Sequence, residues 1–174
     1  MICMTANSLP VSHEALTAAA QDTSLPDQVL TQWFGSPRPG NADALKHKAQ
    51  WFTKSAAFDE ELRQRFGTAV EAALGGALQH WSTEGPWQQL ALVILLDQFT
   101  RNIHRNTPKS FAGDAQALAL ALQATDAGSA RLLPEVVRVF MYLPLEHAED
   151  PAMQQRSVAA FEASLQSATG TQLR

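Results

Sequence analysis

The stretch richest in chemistry is Leu96-Asp97-Gln98-Phe99-Thr100-Arg101-Asn102-Ile103-His104-Arg105. Asp97 and Arg101 are four residues apart, as are Gln98 and Asn102, and Arg101 and Arg105. On a helix each of these pairs shares a face. Two readings are open. In the structural one, Arg101 uses its fork of N–H donors on Asp97 and on loop carbonyls near Thr107, while Gln98 and Asn102 tie down neighbouring backbone. In the other, Arg101 and Arg105 face the carboxylate or phosphate of an anionic ligand.

A second polar stretch is Tyr142-Leu143-Pro144-Leu145-Glu146-His147-Ala148-Glu149-Asp150-Pro151. Its acids and histidine suggest either a metal site or an acid–base pair using His147. Metal binding is disfavoured: there is no His-x-x-x-His pair and no cysteine ligand nearby, and adjacent Glu146 and His147 point in different directions on a helix. The plain alternative makes Asp150 the N-cap before Pro151 and Glu149 a solvated side chain, with Glu146 and His147 as partners for arginines of another helix. There is no Gly-rich phosphate loop, Gly-x-Ser-x-Gly elbow or zinc-protease motif, so neither metal nor cofactor is expected.

Both stretches are unusually polar for their apolar surroundings. The expectation is that they meet, Arg101 and Arg105 pairing with Glu146 and lying near His147 in one groove. The candidate binding residues are therefore Asp97, Gln98, Arg101, Asn102, Arg105, Glu146 and His147.

The elements that must position these residues are helices. Ser24-Leu25-Pro26-Asp27 opens a helix carrying Val29, Leu30, Trp33 and Phe34 and ending at Gly35. A helix is expected from about Asp43 to Lys54, with Leu45, Ala49 and Phe52 as its apolar face. Phe58, Leu62 and Phe66 mark a short helix that Gly67 ends or bends, and Thr68 to Glu71 has the spacing of a capping box for the next, which carries Val70, Leu74, Leu78 and Trp81. Gly75-Gly76 falls inside that helix and suggests a close helix crossing. Gly85-Pro86 begins a helix to about Ile103 that is apolar nearly all round, hence central. Thr107-Pro108 restarts the chain as a helix running to about Asp126. Leu133-Pro134 opens another, interrupted at Pro144, and Asp150-Pro151 caps a last helix bearing Val158, Phe161 and Leu165.

Strand signals are nearly absent. About eight or nine helices with short links make an all-α chain whose neighbours are antiparallel hairpins. The expected organisation is an N-terminal extension over 1–24, partly helical from Ser12 to about Ala20, a single helical domain over 25–167, and a frayed tail over 168–174. The four tryptophans read as core.

The chain has 174 residues and a formal charge of −4, with no dense Lys/Arg cluster, which argues against a nucleic-acid partner. Cys3 is the only cysteine, so no intrachain disulfide forms. The N-terminus lacks a secretory pattern and the longest strongly apolar run, Leu90 to Leu96, is too short to span a bilayer. A cytoplasmic location with no membrane partner is expected.

Leu90 to Ile103 and Tyr142 to Asp150 together resemble the signature of a bacterial family catalogued as domain of unknown function 924. The Trp-Phe-Gly ending of Val29 to Gly35, Trp51-Phe52, Phe58-Asp59 with Arg63, and Gln154 to Phe161 add to the likeness, which covers roughly residues 26–165. The resemblance implies a tetratricopeptide-like fold, antiparallel helical hairpins stacked into a right-handed α-α superhelix, and no settled activity. The chain departs from the family pattern at Thr100, where proline is expected, and at Ala148, where serine is expected. It also ends at Arg174 without the His- and Arg-rich segment expected beyond the last helix. If that segment completes a pocket, the pocket is expected to be open or remade here; if it covers the core, an apolar patch is expected to be exposed and to favour self-association into a homo-oligomer.

Two functions compete. A helical-hairpin stack is a binding module for a protein or peptide partner. The alternative is a small-molecule enzyme or binder acting on an anionic ligand through the Arg/Glu/His cluster, which would need a pocket with convergent polar groups.

Overall fold

A computed structural model describes the backbone of residues 23–171 and the side chains of residues 23–166. The helix expected between Ser12 and Ala20, and Cys3, lie outside the described residues. Within them the chain is helical, with no strand.

Helix α1 (Leu25–Phe34) begins with Pro26 in its first turn and ends on Gly35, whose φ of 81° supplies the left-handed terminus that favours glycine. Two short helices, α2 (Asn41–Leu45) and α3 (Lys48–Phe52), stand where one was expected. Side chains of α3 satisfy the end of α1: Gln50 Nε2 donates to Trp33 O at 3.0 Å and Trp51 Nε1 to the same carbonyl at 2.9 Å. The expected apolar face is wrong. Leu45 and Phe52 are exposed, whereas Ala44 is buried and Trp51 packs on the core.

Helix α4 (Ala56–Leu74) runs straight through Gly67, capped by Ser55 Oγ, which accepts from Phe58 N–H. Its inward face of Leu62, Phe66, Ala69 and Val70 is continuous, so packing against the central helix outweighs the weak propensity of one glycine. Gly75 and Gly76 end this helix rather than cross another, with Gly76 at φ 83°. Trp81 sits in the short 3-10 turn Gln79–Thr83.

The central helix α5 covers residues 86–103 as three joined parts, Pro86–Val93, Ile94–Phe99 and Thr100–Ile103. It is buried on every side through Leu90 to Asp97. In the middle part the backbone bonds reach one residue further than in an α-helix, a π-type turn. Its last bond, from Thr100 N–H to Leu95 O, is doubled by Thr100 Oγ1, which donates to the same oxygen at 2.8 Å.

After the 3-10 turn Pro108–Phe111, helix α6 (Asp114–Asp126) packs on α5, and the turn Ser129–Leu132 links it to α7 (Glu135–His147). Pro144 lies inside α7 without ending it. It is buried among apolar neighbours, which hold the last turn in place despite the missing N–H. Asp150 Oδ1 accepts from Ala152 N–H at 2.8 Å and starts α8 (Pro151–Thr171). Consecutive helices pack on one another, α6 on α7 and α7 on α8, while α5 also touches α1, α4 and α7. Trp33 of α1 ties three of these layers, its ring 5.8 Å from those of both Phe99 and Phe140.

Candidate functional site

The two polar stretches do meet, through residues other than those expected. Asp97 projects from the π-type turn of α5 and is fully buried, and His147 sits in the last turn of α7. The His147 Nδ1 to Asp97 Oδ1 distance is 2.8 Å. A carboxylate accepts, so the imidazole donates from Nδ1 and Nε2 is left as its second pole. Gln98 Nε2 donates to Asp97 Oδ2 at 2.7 Å, and Arg101 Nε approaches Asp97 Oδ1 at 3.5 Å. The buried carboxylate is thus compensated by donors on both oxygens, as burial of a charge requires.

Arg101 turns its other end to a residue absent from the expected set. Its Nη2 donates to both oxygens of Asp114 at 3.0 Å, and its guanidinium lies 5.2 Å from the Phe111 ring centroid. Burial pushes the Asp114 carboxyl above its ordinary value. Arg101 opposes that, the charge of Asp97 adds to it and His147 opposes it. Asp114 is in the first turn of α6, directly after Gly113, so in sequence it looks like an ordinary acid at a helix start. Gly113 brings this turn onto the central helix: a Cβ there would lie 2.1 Å from Leu96 O.

Between these groups is a half-open cleft of about 640 Å³. Asp97, Arg101, Asp114 and His147 supply its polar wall and Phe111, Leu118 and Pro144 its apolar wall, with Glu149 and Asp150 at the junction of α7 and α8.

The expected pairing of Arg101 and Arg105 with Glu146 is corrected. Arg105 faces the opposite flank of α5 and clamps Asp59 of α4, with Nε to Oδ2 at 2.7 Å and Nη2 to Oδ1 at 3.0 Å, and Asn102 Nδ2 completes the clamp at 2.9 Å. The Asp59 carboxylate, in turn, holds Arg105 above the ordinary guanidinium range. Glu146 is exposed and lines a separate groove of about 620 Å³ with Val158, Phe161 and Leu165 of α8. Among the described residues no ion pair joins it to either arginine. Arg101 and Arg105 both follow the π-type turn, and they part because α5 ends at Ile103: His104 leaves the helical conformation and Asn106, at φ 64°, turns the chain, so the four-residue spacing no longer aligns the two arginines. Three of the seven expected residues line the cleft, Gln98 supports it from behind, and Asn102, Arg105 and Glu146 lie elsewhere. No group of three metal-ligating side chains occurs among the described residues.

The signature stretches thus build one cleft and the helices that hold it. Residues 29–173 match the family described as "Bacterial protein of unknown function (DUF924)". The chain belongs to this family. A solved structure, that of the protein of unknown function ATU0120 from Agrobacterium tumefaciens, resembles this member of the family over 84% of this chain and 74% of its own, with 37% sequence identity and a TM-score of 0.70. No curated protein matches this DUF924 chain. No helix of the described residues is long and apolar enough to cross a membrane.

Proposed function

We propose that the cleft between α5, α6 and α7 is the functional centre, a small-molecule site in which Asp97 and His147 act as an acid–base pair. The observation that carries this reading is the 2.8 Å contact between a fully buried carboxylate and a half-buried imidazole. Asp97 fixes the tautomer and the ring orientation, so Nε2 is the atom that accepts or gives a proton. No hydrogen bond engages Nε2 among the described residues. The cleft volume lies within the range of about 300–1,000 Å³ usual for small-molecule pockets. Arg101 is held by Asp97 and Asp114, and serves to set the wall of the cleft.

The test is a fragment screen by NMR on the full chain, with the His147 ring resonances assigned through His147→Gln. Hits that move those resonances support the reading. Hits confined to other surfaces, with His147 unmoved, overturn it.

A second reading, docking of a protein or peptide partner, is supported by a different place. Val158 and Leu165 of α8 are 57% and 68% exposed beside the Glu146 groove. A stack of helical hairpins of the tetratricopeptide-like kind, as the short links between α6, α7 and α8 suggest, presents such grooves. Binding at this face would move α8 resonances and leave His147 unchanged.

A further inference from the structure

The arginines of the signature suggest an anionic ligand, but the cleft they helped to locate has the opposite charge balance. Its lining holds four carboxylates, Asp97, Asp114, Glu149 and Asp150, against one guanidinium, that of Arg101, and the His147 imidazole. Arg101 is shared between Asp97 at 3.5 Å and Asp114 at 3.0 Å, so one cation serves two acids. Glu149 is exposed and makes no ion pair among the described residues. Helix starts, which would otherwise attract an anion, already hold carboxylates here: Asp114 stands in the first turn of α6 and Asp150 caps α8.

The other wall is apolar. Phe111 is 59% exposed at the cleft, with Leu118 and Pro144 beyond it. An aromatic face of this kind attracts cations, as the Arg101 guanidinium on the same ring demonstrates.

We propose that the cleft takes an organic cation with an apolar body, an alkyl- or arylalkylammonium whose nitrogen is held by Asp114 and Glu149 beside His147 Nε2. The proposal rests on the reading of the cleft as the functional centre and adds the class of ligand. Arg101 divides its charge between Asp97 and Asp114 and Glu149 has no ion-pair partner among the described residues, so an ammonium between Asp114 and Glu149 adds positive charge where two carboxylates share little of it. With Nδ1 donating to Asp97, Nε2 of the neutral imidazole is an acceptor for an N–H of the ligand.

The test titrates four probes into the full chain while following the His147 ring by NMR: n-hexylammonium, hexanoate, hexanol and Nα-acetyl-lysine amide. Hexylammonium is expected to move the His147 resonances, with binding weakened by added salt and about tenfold by Asp114→Asn. Glu149→Gln, at an exposed position, should weaken it in the same direction while leaving the unfolding midpoint unchanged. A response to the lysine amide as well assigns the ammonium to a peptide side chain. A response to hexylammonium alone assigns it to a free amine. Either response supports the cationic class. Equal or stronger binding of hexanoate or hexanol at His147 overturns the cationic class and leaves the cleft reading standing. Silence from these probes and from the fragment library overturns both.

Discussion

Asp97 and His147 are fifty residues apart in sequence, yet their side chains meet at 2.8 Å between the central helix and the last turn of α7. The contact is local on neither side. It exists because α7 crosses α5 with Pro144 and Leu145 buried, which fixes the following residue pair with Glu146 outward and His147 inward.

Asp97→Asn should lower stability by about 1–3 kcal/mol, because an amide presents an N–H to one of the donors that the carboxylate now accepts from. Urea unfolding measures the loss. A variant as stable as the parent would mean that the buried carboxylate is not the hub of this network.

Gly113→Ala and Gly67→Ala should have opposite signs. A Cβ at 113 would meet Leu96 O at 2.1 Å, so backbone must shift, at a cost of about 1–3 kcal/mol. A Cβ at 67 has only Arg63 Cγ nearby, at 3.9 Å, and the site is helix interior, so alanine should add about 0.5–1 kcal/mol. Thermal unfolding of the pair checks both signs.

Thr100→Val should cost about 1 kcal/mol by removing the hydroxyl bond to Leu95 O at nearly constant shape. The affected amides are those of the π-type turn, so hydrogen exchange should rise there first. Unchanged exchange across residues 94–100 would show that the hydroxyl does not hold this turn.

Arg105→Met should destabilise the fold by about 1–3 kcal/mol through the mostly buried Asp59 carboxylate it abandons. It should leave ligand responses at His147 unaltered. Loss of those responses in a folded variant would return Arg105 to the site.

His104 should make stability fall as the solution is acidified below its ordinary pKa of 6.5. Burial, and then Lys109, hold its pKa below that value, while Glu71 at 3.6 Å opposes them. The folded state therefore binds this proton later than the unfolded state does. The neutral ring's contribution is complete above pH 6.5 and is lost as pH falls through the depressed value. Comparing unfolding curves of the parent and His104→Gln from neutral to mildly acid pH isolates it, with a flatter profile expected for the variant.

The helical class, the central place of residues 86–103, and the helix starts at Ser24-Pro26 and Asp150-Pro151 were legible in the sequence, because periodicity and helix-start signals are local properties; that Asp97, Arg101 and His147 come together in one cleft was an expectation only the fold could meet. What was misread shares one cause. Gly67 and Pro144 are local stop signals overridden by buried faces on both sides, and Leu45 and Phe52 are apolar residues that two short helices leave outside. Only tertiary structure could enlist Asp114 and divert Arg105 to Asp59. The end of α5 at Ile103 and the packing of α6 and α7 around that helix are set by contacts distant in sequence, and they decided which charges share a cleft.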